Sequence, residues 1–168
     1  MTMGKELSNI TDAEPGRVRT EIQLACFRVG DQMYSLDILR IKEVIRPLKL
    51  TPVPKAPVFI EGVINLRGKV VPVIQLRKRF GHPLMAHDNN TRIIVVEVQG
   101  RILGMIVDSV SEVIRIPAST IEPPPDIIAG VDSEYIKGVG KLEKRLLILL
   151  DLDKVLTQVD VELTAQTK

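Results

Sequence analysis

The stretch "GVINLRGKVVPVI", residues 62–74, decides the fold that this sequence predicts. It is a nearly continuous apolar run that the tetrapeptide "NLRG" interrupts. A strand buried on both faces has no room for a guanidinium, whereas a turn between two strands lets the group point into solvent. The run therefore predicts a β-hairpin, with strands at 61–66 and 69–76 and with Arg67-Gly68 at its tip.

Composition favours strands in the rest of the chain as well. The 168 residues are 45% apolar but only 3% aromatic, and there is no Trp, so the core must consist of Val, Ile and Leu. This aliphatic bias is typical of strands. Short apolar runs recur with Gly and Pro between them; Gly30-Asp31, for example, links the runs 21–29 and 32–38. Such spacing indicates an all-β sandwich or barrel.

The chain also contains an internal repeat. "FIEGVINLRGKVVPVIQLRKRF" (59–80) aligns without gaps on "YIKGVGKLEKRLLILLDLDKVL" (135–156), with six identities in twenty-two positions. The tetrapeptide "EVIR" occurs at 43–46 and again at 112–115. The two offsets are 135 − 59 = 76 and 112 − 43 = 69. Because glycines and apolar positions match, a duplication is favoured over chance similarity between strand-rich segments.

The strands of the repeat are apolar on both faces. In "KVVPVIQL", Val70, Ile74 and Leu76 share one face, yet Val71 and Val73 on the opposite face are also apolar. A solitary small barrel would instead alternate apolar and polar residues. Burying one more Val or Leu is worth roughly 1.5–3 kcal/mol, so a few such residues would decide an association. The pattern predicts two β units packed on each other around a shared core.

Catalytic motifs are missing from the sequence. It has no Gly-rich phosphate loop, Walker sequence or nucleophile elbow. His82 and His87 lie in one loop, "HPLMAH", which is more typical of a solvated loop than of a metal site. Asp151 and Asp153 open a short helix, where N-terminal capping explains them better than acid–base chemistry. With Cys26 in an apolar run, where a buried thiol is expected, the sequence predicts no enzyme, metal or cofactor.

Nucleic-acid binding is the alternative function. Small β-barrels bind single strands through aromatic rings in a basic groove. The densest basic patch here is "RKRF" (77–80), which we interpret as a solvated helix face because its counterpart "DKVL" is not basic. The five aromatic residues are scattered along the sequence, mostly inside or beside apolar runs. A small β-barrel that binds nucleic acid stays open as the second hypothesis.

Four segments, in the same order along the chain, resemble the CheW family of adaptors in bacterial chemosensory arrays. They are "VGDQMYSLDILRIKEVIRP", "TPVPKAPVFIEGVINLRGKVVPVIQLRKRF", "GMIVDSVSEVI" and "YIKGVGKLEKRLLILLDLDKVL". The resemblance covers about residues 20–157. The same domain forms the regulatory module of the histidine kinase CheA and is fused to a receiver in CheV. Since this sequence carries no kinase or receiver segment, it resembles the free adaptor more closely.

The resemblance implies both a fold and a function. The fold would be two intertwined SH3-like five-stranded β-barrels that share a core, with short helices. The domain would span 20–157. Independently of the resemblance, the polar residues 1–19, with Pro15 and Gly16, predict a flexible tail, and residues 158–168 are expected to be a frayed C-terminal tail. The protein would be a non-catalytic adaptor between the cytoplasmic tips of chemoreceptors and the regulatory domain of CheA, binding no nucleic acid and not entering the membrane. A cytoplasmic location agrees with the lack of a signal peptide or a membrane-length apolar run.

In this family the hairpin and the groove beside it form the receptor-coupling surface. The resemblance carries that role to six positions, which are Ile41, Glu43, Gly62, Asn65, Arg67 and Val113. Arg67 is the strongest candidate, because the second repeat has Glu143 at its place and the repeat's fold therefore does not require arginine there. For Gly62 the alternative is a purely backbone role, and for Ile41 and Val113 it is burial in the core.

Overall fold

The computed structural model describes residues 20–124 and 135–155. The tails predicted at 1–19 and 158–168 lie outside the described residues, and the domain bounds stay predictions. The described elements, in chain order, are β1 (Glu21–Val29), β2 (Gln32–Asp37), β3 (Ile41–Ile45), β4 (Ile60–Leu66), β5 (Lys69–Gln75), α1 (Leu76–Arg79), β6 (Arg92–Val98), β7 (Arg101–Val107), β8 (Ser109–Pro117), β9 (Ile121–Glu122), β10 (Ile136–Leu142), β11 (Arg145–Leu150) and α2 (Leu152–Val155).

The strands form two sheets, each of which makes one small barrel. The first barrel has the strand order β3-β6-β7-β5-β4, and the second has the order β8-β1-β2-β11-β10-β9. Most neighbouring strands in each barrel are antiparallel. One pair in each is parallel: β5 with β7 in the first barrel and β2 with β11 in the second. The all-β fold with short helices is confirmed.

The two barrels exchange strands between the two repeats. The offsets of 69 and 76 relate β1, β2, β3, β4 and β5 to β6, β7, β8, β10 and β11. Both barrels then have the same order of five strands, and the two-residue strand β9 extends the second to six. The first barrel combines three strands of the first repeat with two of the second, and the second barrel combines β8–β11 of the second repeat with β1 and β2 of the first. Neither repeat holds all the strands of one barrel. This arrangement supports the duplication and makes the barrels intertwined.

Local irregularities are repeated as well. The pairing of β4 with β5 shifts register between Ile60 and Gly62, and that of β10 with β11 shifts at the equivalent place, before Gly138. A Cβ on Gly62 would lie 2.5 Å from the carbonyl oxygen of Thr51. A Cβ on Gly138 would lie 2.5 Å from the side chain of Ile121. Both glycines therefore let another segment cross close over the strand.

Apolar side chains fill three cores, one inside each barrel and one between them. On β5, Val71 and Val73 lie in the interior of the first barrel, whereas Ile74 belongs to the core shared by both barrels. The interior of the second barrel contains Leu24 and Leu147 among others. The predicted need for cover on both faces, and the shared core, are confirmed, because one strand supplies residues to two cores.

All five aromatic residues meet in the shared core. Phe27, Tyr34 and Phe59 are buried there, and Phe80 and Tyr135 pack against them half-buried. Tyr34 lies between two rings, with centroids 6.0 Å from Phe27 and 5.1 Å from Phe80. Burial raises the pKa of Tyr34 to about 12. Rings that are scattered in sequence are therefore gathered at the shared core, where Phe27, Tyr34, Phe80 and Tyr135 form a row of ring contacts.

The basic residues of α1 make internal contacts. Arg77 donates hydrogen bonds of 2.8 and 2.6 Å to the carboxylate of Asp108, and Lys78 pairs with Glu61. The guanidinium of Arg79 lies 4.4 Å from the centre of an aromatic ring. None of the three cations is fully exposed. The interpretation of "RKRF" as a solvated helix face is therefore wrong, because tertiary partners hold these charges.

Candidate functional site

The candidate site begins at the tip of the β4–β5 hairpin. Arg67 and Gly68 both have positive φ, +51° and +85°, as a two-residue type I′ turn requires. The side-chain oxygen of Asn65 accepts a 2.8 Å hydrogen bond from the backbone N–H of Gly68, which stabilises the turn. The predicted hairpin is confirmed, and its strands are Ile60–Leu66 and Lys69–Gln75.

The side chain of Arg67 points outward and forms an ion pair with Glu43. One guanidinium nitrogen donates a 3.2 Å hydrogen bond to Oε1, and the other pairs with Oε2. These hydrogen bonds lower the pKa of Glu43, so its carboxylate is ionised at neutral pH. β3 and β4 are the two edge strands of this sheet, so the ion pair links one edge strand to the hairpin that contains the other. With 68% of the Arg67 side chain exposed, the pair adds little to stability.

The other candidate residues separate into two groups. Ile41 is half-buried and packs against the shared core, and Gly62 is buried beneath Thr51. Val113 is 53% exposed, but it lies on β8 in the second barrel. The structure thus brings Glu43, Asn65 and Arg67 to one end of the first barrel and does not place Val113 on that barrel.

The second barrel carries an equivalent ion pair. Arg145 donates a 2.6 Å hydrogen bond to Glu112, and Glu112 is the counterpart of Glu43 at the offset of 69. The arginine, however, comes from the first position of β11 and not from the turn, where Glu143 replaces Arg67. The two barrels therefore carry equivalent surface Arg–Glu pairs, in which the arginine comes from opposite sides of the hairpin turn.

Exposed apolar side chains accompany each ion pair. For the proposal below, we call the exposed set Glu43, Val44, Arg67 and Val70 the first docking surface, and its repeat-related set Glu112, Val113, Arg145 and Leu146 the second. The four aliphatic side chains are between 41% and 57% exposed. Large apolar side chains beside a polar rim are typical of protein-binding surfaces. The repeat offsets relate the two sets position by position, apart from the arginine.

Sequence reasoning missed most of these apolar residues, although a signal for them was available. Val113 was a candidate, and subtracting the offset of 69 leads directly to Val44. Val70 and Leu146 are related by the offset of 76. Their exposure could not be read from the pattern, because both lie in continuous apolar runs that otherwise enter the cores.

The structure offers little for covalent or metal chemistry. Cys26 is fully buried, and burial raises the pKa of its thiol, which keeps the thiol protonated. Of the two histidines, His87 is exposed, whereas the ring of His82 lies against Gly30. The loop was predicted to be solvated, and this holds for His87 but not for His82. Among residues 20–124 and 135–155, no group of three acidic, Cys or His side chains could hold a metal ion. The predicted absence of metal stays a prediction.

Two intertwined β-barrels that share a core, each with an Arg–Glu ion pair and exposed aliphatic side chains at its surface, have the make-up of a protein-binding module. Comparison with known proteins gives the family: residues 23–160 match the CheW-like domain, and the chain belongs to this family. The chemotaxis protein CheW of Klebsiella aerogenes is 38% identical over 137 residues, which cover 82% of each chain. Protein FrzA of Myxococcus xanthus is 32% identical over 142 residues, 83% of this chain and 88% of FrzA.

A solved structure supports the same assignment. The scaffolding protein TtCheW from Thermoanaerobacter tengcongensis is 38% identical and superposes with a TM-score of 0.77, covering 83% of this chain and 94% of its own. The two SH3-like barrels and the prediction that the chain is not an enzyme are therefore confirmed. The protein is a non-catalytic scaffold of the chemotaxis type.

Proposed function

We propose that this scaffold couples the cytoplasmic tips of chemoreceptors to the regulatory domain of the histidine kinase CheA. The observation that carries the proposal is the presence of one docking surface on each barrel. A coupling protein must hold two partners at once, and a duplicated fold with two equivalent but chemically different surfaces meets that need. Receptor state would then reach the kinase through a rigid two-barrel body.

The shared core supports the mechanical part of the proposal. The strands that carry the two docking surfaces also supply residues to one continuous apolar core, as β5 does through Ile74 and β11 through Ile148 and Leu150. A close-packed core resists continuous deformation. Displacing one barrel would therefore displace the other, which is what a coupling element requires.

We place the protein in the cytoplasm, held at the membrane only through its receptor partners. In the described part of the chain no helix has the length and apolar character to span a bilayer. The docking surfaces combine charged pairs with a few aliphatic side chains, a composition that suits protein partners.

No observation favours the nucleic-acid alternative. Single-strand binding needs exposed aromatic rings beside free cations. Here the rings pack in the shared core, and the cations of α1 face carboxylates or rings. We therefore expect no nucleic acid among the partners.

The experiment uses one charge-insertion variant for each docking surface. Val70→Asp alters the first surface and Leu146→Asp the second, while Val58→Asp, at a side chain that is 79% exposed, is the matched control outside both. Binding of the CheA regulatory domain and of a soluble receptor-tip fragment is measured by calorimetry, with a polynucleotide as third ligand. We expect Val70→Asp and Leu146→Asp to weaken binding of different partners, and the control to bind both.

The outcomes separate the possible errors. Wild-type protein that binds neither partner would refute the adaptor function. Binding of both partners, unaltered in Val70→Asp and Leu146→Asp, would keep the function but refute the two surfaces. Affinity for the polynucleotide that falls steeply with salt would support the alternative.

A further inference from the structure

Arg79, the last residue of α1, lies where the two repeats meet. Its side chain is half-buried, and its Nε–H donates a 2.9 Å hydrogen bond to the backbone carbonyl of Val155, the last residue of α2. At the offset of 76, Val155 is the repeat equivalent of Arg79 itself. Equivalent positions touch each other only close to the axis that relates the two halves of a two-fold arrangement. Arg79 therefore lies beside the pseudo-two-fold axis of the molecule.

Two aromatic rings flank the guanidinium of Arg79, and they too are repeat equivalents. The Cζ atom lies 4.4 Å from the ring centre of Phe59 and 5.7 Å from that of Tyr135. Both distances fall within the range of about 6 Å in which a cation is attracted to the face of a ring. At the offset of 76, Phe59 corresponds to Tyr135. The positive charge is thus shared between one ring of each repeat.

Each ring is fixed to its own barrel by the same backbone contact. The carbonyl of Phe59 accepts a 2.8 Å hydrogen bond from the N–H of Gln75, at the end of β5 in the first barrel. The carbonyl of Tyr135 accepts one of 2.9 Å from the N–H of Asp151, directly after β11 in the second barrel. Arg79 follows β5 on α1, so it links the first barrel to a ring and a carbonyl that follow the second.

The two repeats differ at this point in a way that suits the geometry. An arginine at position 155 as well would bring two like charges together at the axis, which is unfavourable, and both would compete for the same two rings. Val155 instead contributes a buried, uncharged side chain and an acceptor carbonyl. One repeat thus supplies the cation and the other the acceptor, and the contact joins the two barrels.

We propose that Arg79, Phe59, Tyr135 and Val155 form a clamp that fixes the orientation of the two barrels. The apolar contacts of the shared core hold the barrels together but are non-directional. The hydrogen bond and the contacts between the cation and the rings, in contrast, have preferred geometries. The clamp thereby sets the angle between the two docking surfaces. This last consequence, unlike the clamp itself, rests on the function proposed above.

Distances between two spin labels, measured by pulsed electron paramagnetic resonance, test the clamp in the full chain without partners. The labels are attached at Lys69→Cys and Lys144→Cys, which are exposed positions at the tips of the β4–β5 and β10–β11 hairpins. These tips lie at the ends of β5 and β11 that are remote from α1 and α2, so a change of angle gives a large displacement there. Cys26 is buried and does not compete for the label.

The test variant is Arg79→Met, which keeps an apolar side chain but loses the charge and the Nε–H donor. It should broaden the distribution of distances between the labels. Arg92→Met is the matched control, because Arg92 is also half-buried but donates its hydrogen bonds, of 2.9 and 2.8 Å, to carbonyls of its own segment. The control should keep the wild-type distribution. If Arg79→Met does not fold, Arg79→Lys, which keeps the cation and loses the Nε–H donor, is measured in its place.

A second measurement tests the consequence for coupling. Neither docking surface is altered in Arg79→Met, so we expect it to bind the receptor-tip fragment and the CheA regulatory domain with wild-type affinity. With receptor-containing membranes and full-length CheA, however, the control of autophosphorylation by the receptor should be lost.

Two results would overturn the clamp. One is an unchanged distance distribution in Arg79→Met, and the other is equal broadening in Arg92→Met, which would mean that loss of any half-buried arginine loosens the fold. Broadened distances together with wild-type control of the kinase would overturn the role of the clamp in coupling. Wild-type protein that binds neither partner would refute the proposed function, whereas the distances in the chain alone would still decide the clamp.

Discussion

At the scale of single residues, Arg67 combines a strained backbone with an exposed ion pair. Because the side chain is largely exposed, Arg67→Ala should change the melting temperature by no more than about 2 °C. If the guanidinium also anchors a partner, affinity should fall by about thirtyfold. Thermal melting and calorimetric titration with receptor tip and CheA regulatory domain measure the two effects separately.

A charge exchange is the control for Arg67. In Glu43→Arg/Arg67→Glu the surface ion pair can form again with its direction reversed. Restored binding would mean that the pair only shapes the hairpin, whereas continued loss would mean that a partner reads the arginine. An Arg67→Ala variant that binds like the wild type, or that melts early, would remove Arg67 from the site.

Asp108 is the carboxylate whose charge we expect to matter most for stability. Burial alone would raise its pKa, but the hydrogen bonds from Arg77 and from the N–H of Gly30 outweigh burial and lower it. A lowered folded-state pKa stabilises the protein above the unfolded value of about 3.9, and this stabilisation is lost as pH falls through the folded value. Asp108→Asn should cost about 2 kcal/mol at pH 7.

Urea unfolding at several pH values checks this expectation. The difference between wild type and Asp108→Asn should narrow steadily below about pH 4. Glu97→Gln is the matched control, since Glu97 forms an exposed pair with Lys42 at 3.1 Å and its loss should cost less than about 0.5 kcal/mol. A difference between Asp108→Asn and wild type that is independent of pH would contradict the role of the charge.

At the scale of elements, Gly62 was expected at the partner-binding surface, but its position in the fold gives it a structural role, which is to let the segment at Thr51 cross close over β4. A Cβ there would meet backbone of the crossing segment at Thr51, and φ is +154°, whereas Gly68 has a positive φ but open space around it. Gly68→Ala should therefore carry only the conformational cost, about 1–2 kcal/mol. Gly62→Ala should cost a further 1–3 kcal/mol, roughly, for overpacking. Urea midpoints compare the two, and equal stabilities would contradict the crossing argument.

At the scale of the whole molecule, strand exchange predicts a single folding unit. Each barrel lacks strands unless both repeats are present, and the shared core joins both sheets. Urea unfolding followed by far-UV circular dichroism and by tyrosine fluorescence should give coincident transitions. Two separate steps, or a soluble folded fragment of residues 20–80, would contradict this expectation.

Some features could be predicted because they depend on neighbours in the chain. Apolar periodicity and the interruption at Arg67-Gly68 specify the hairpin, since side chains alternate along a strand whatever the rest of the molecule does. The capping of α2 is equally local: the side chain of Asp151 accepts the N–H of Asp153 at 3.1 Å. Runs that are apolar on both faces likewise indicate a second packing surface.

Only the tertiary structure decided which strands share a barrel and which charges meet. Repeat offsets show that positions are equivalent, but exchanged and separate barrels bury nearly the same residues and so give the same pattern. Arg67 pairs with Glu43, which is 24 positions away in the sequence, and Arg77 pairs with Asp108, which is 31 positions away. Val70 is exposed although its run is apolar, because it lies near the end of its strand. Such contacts depend on chain paths that local periodicity does not encode.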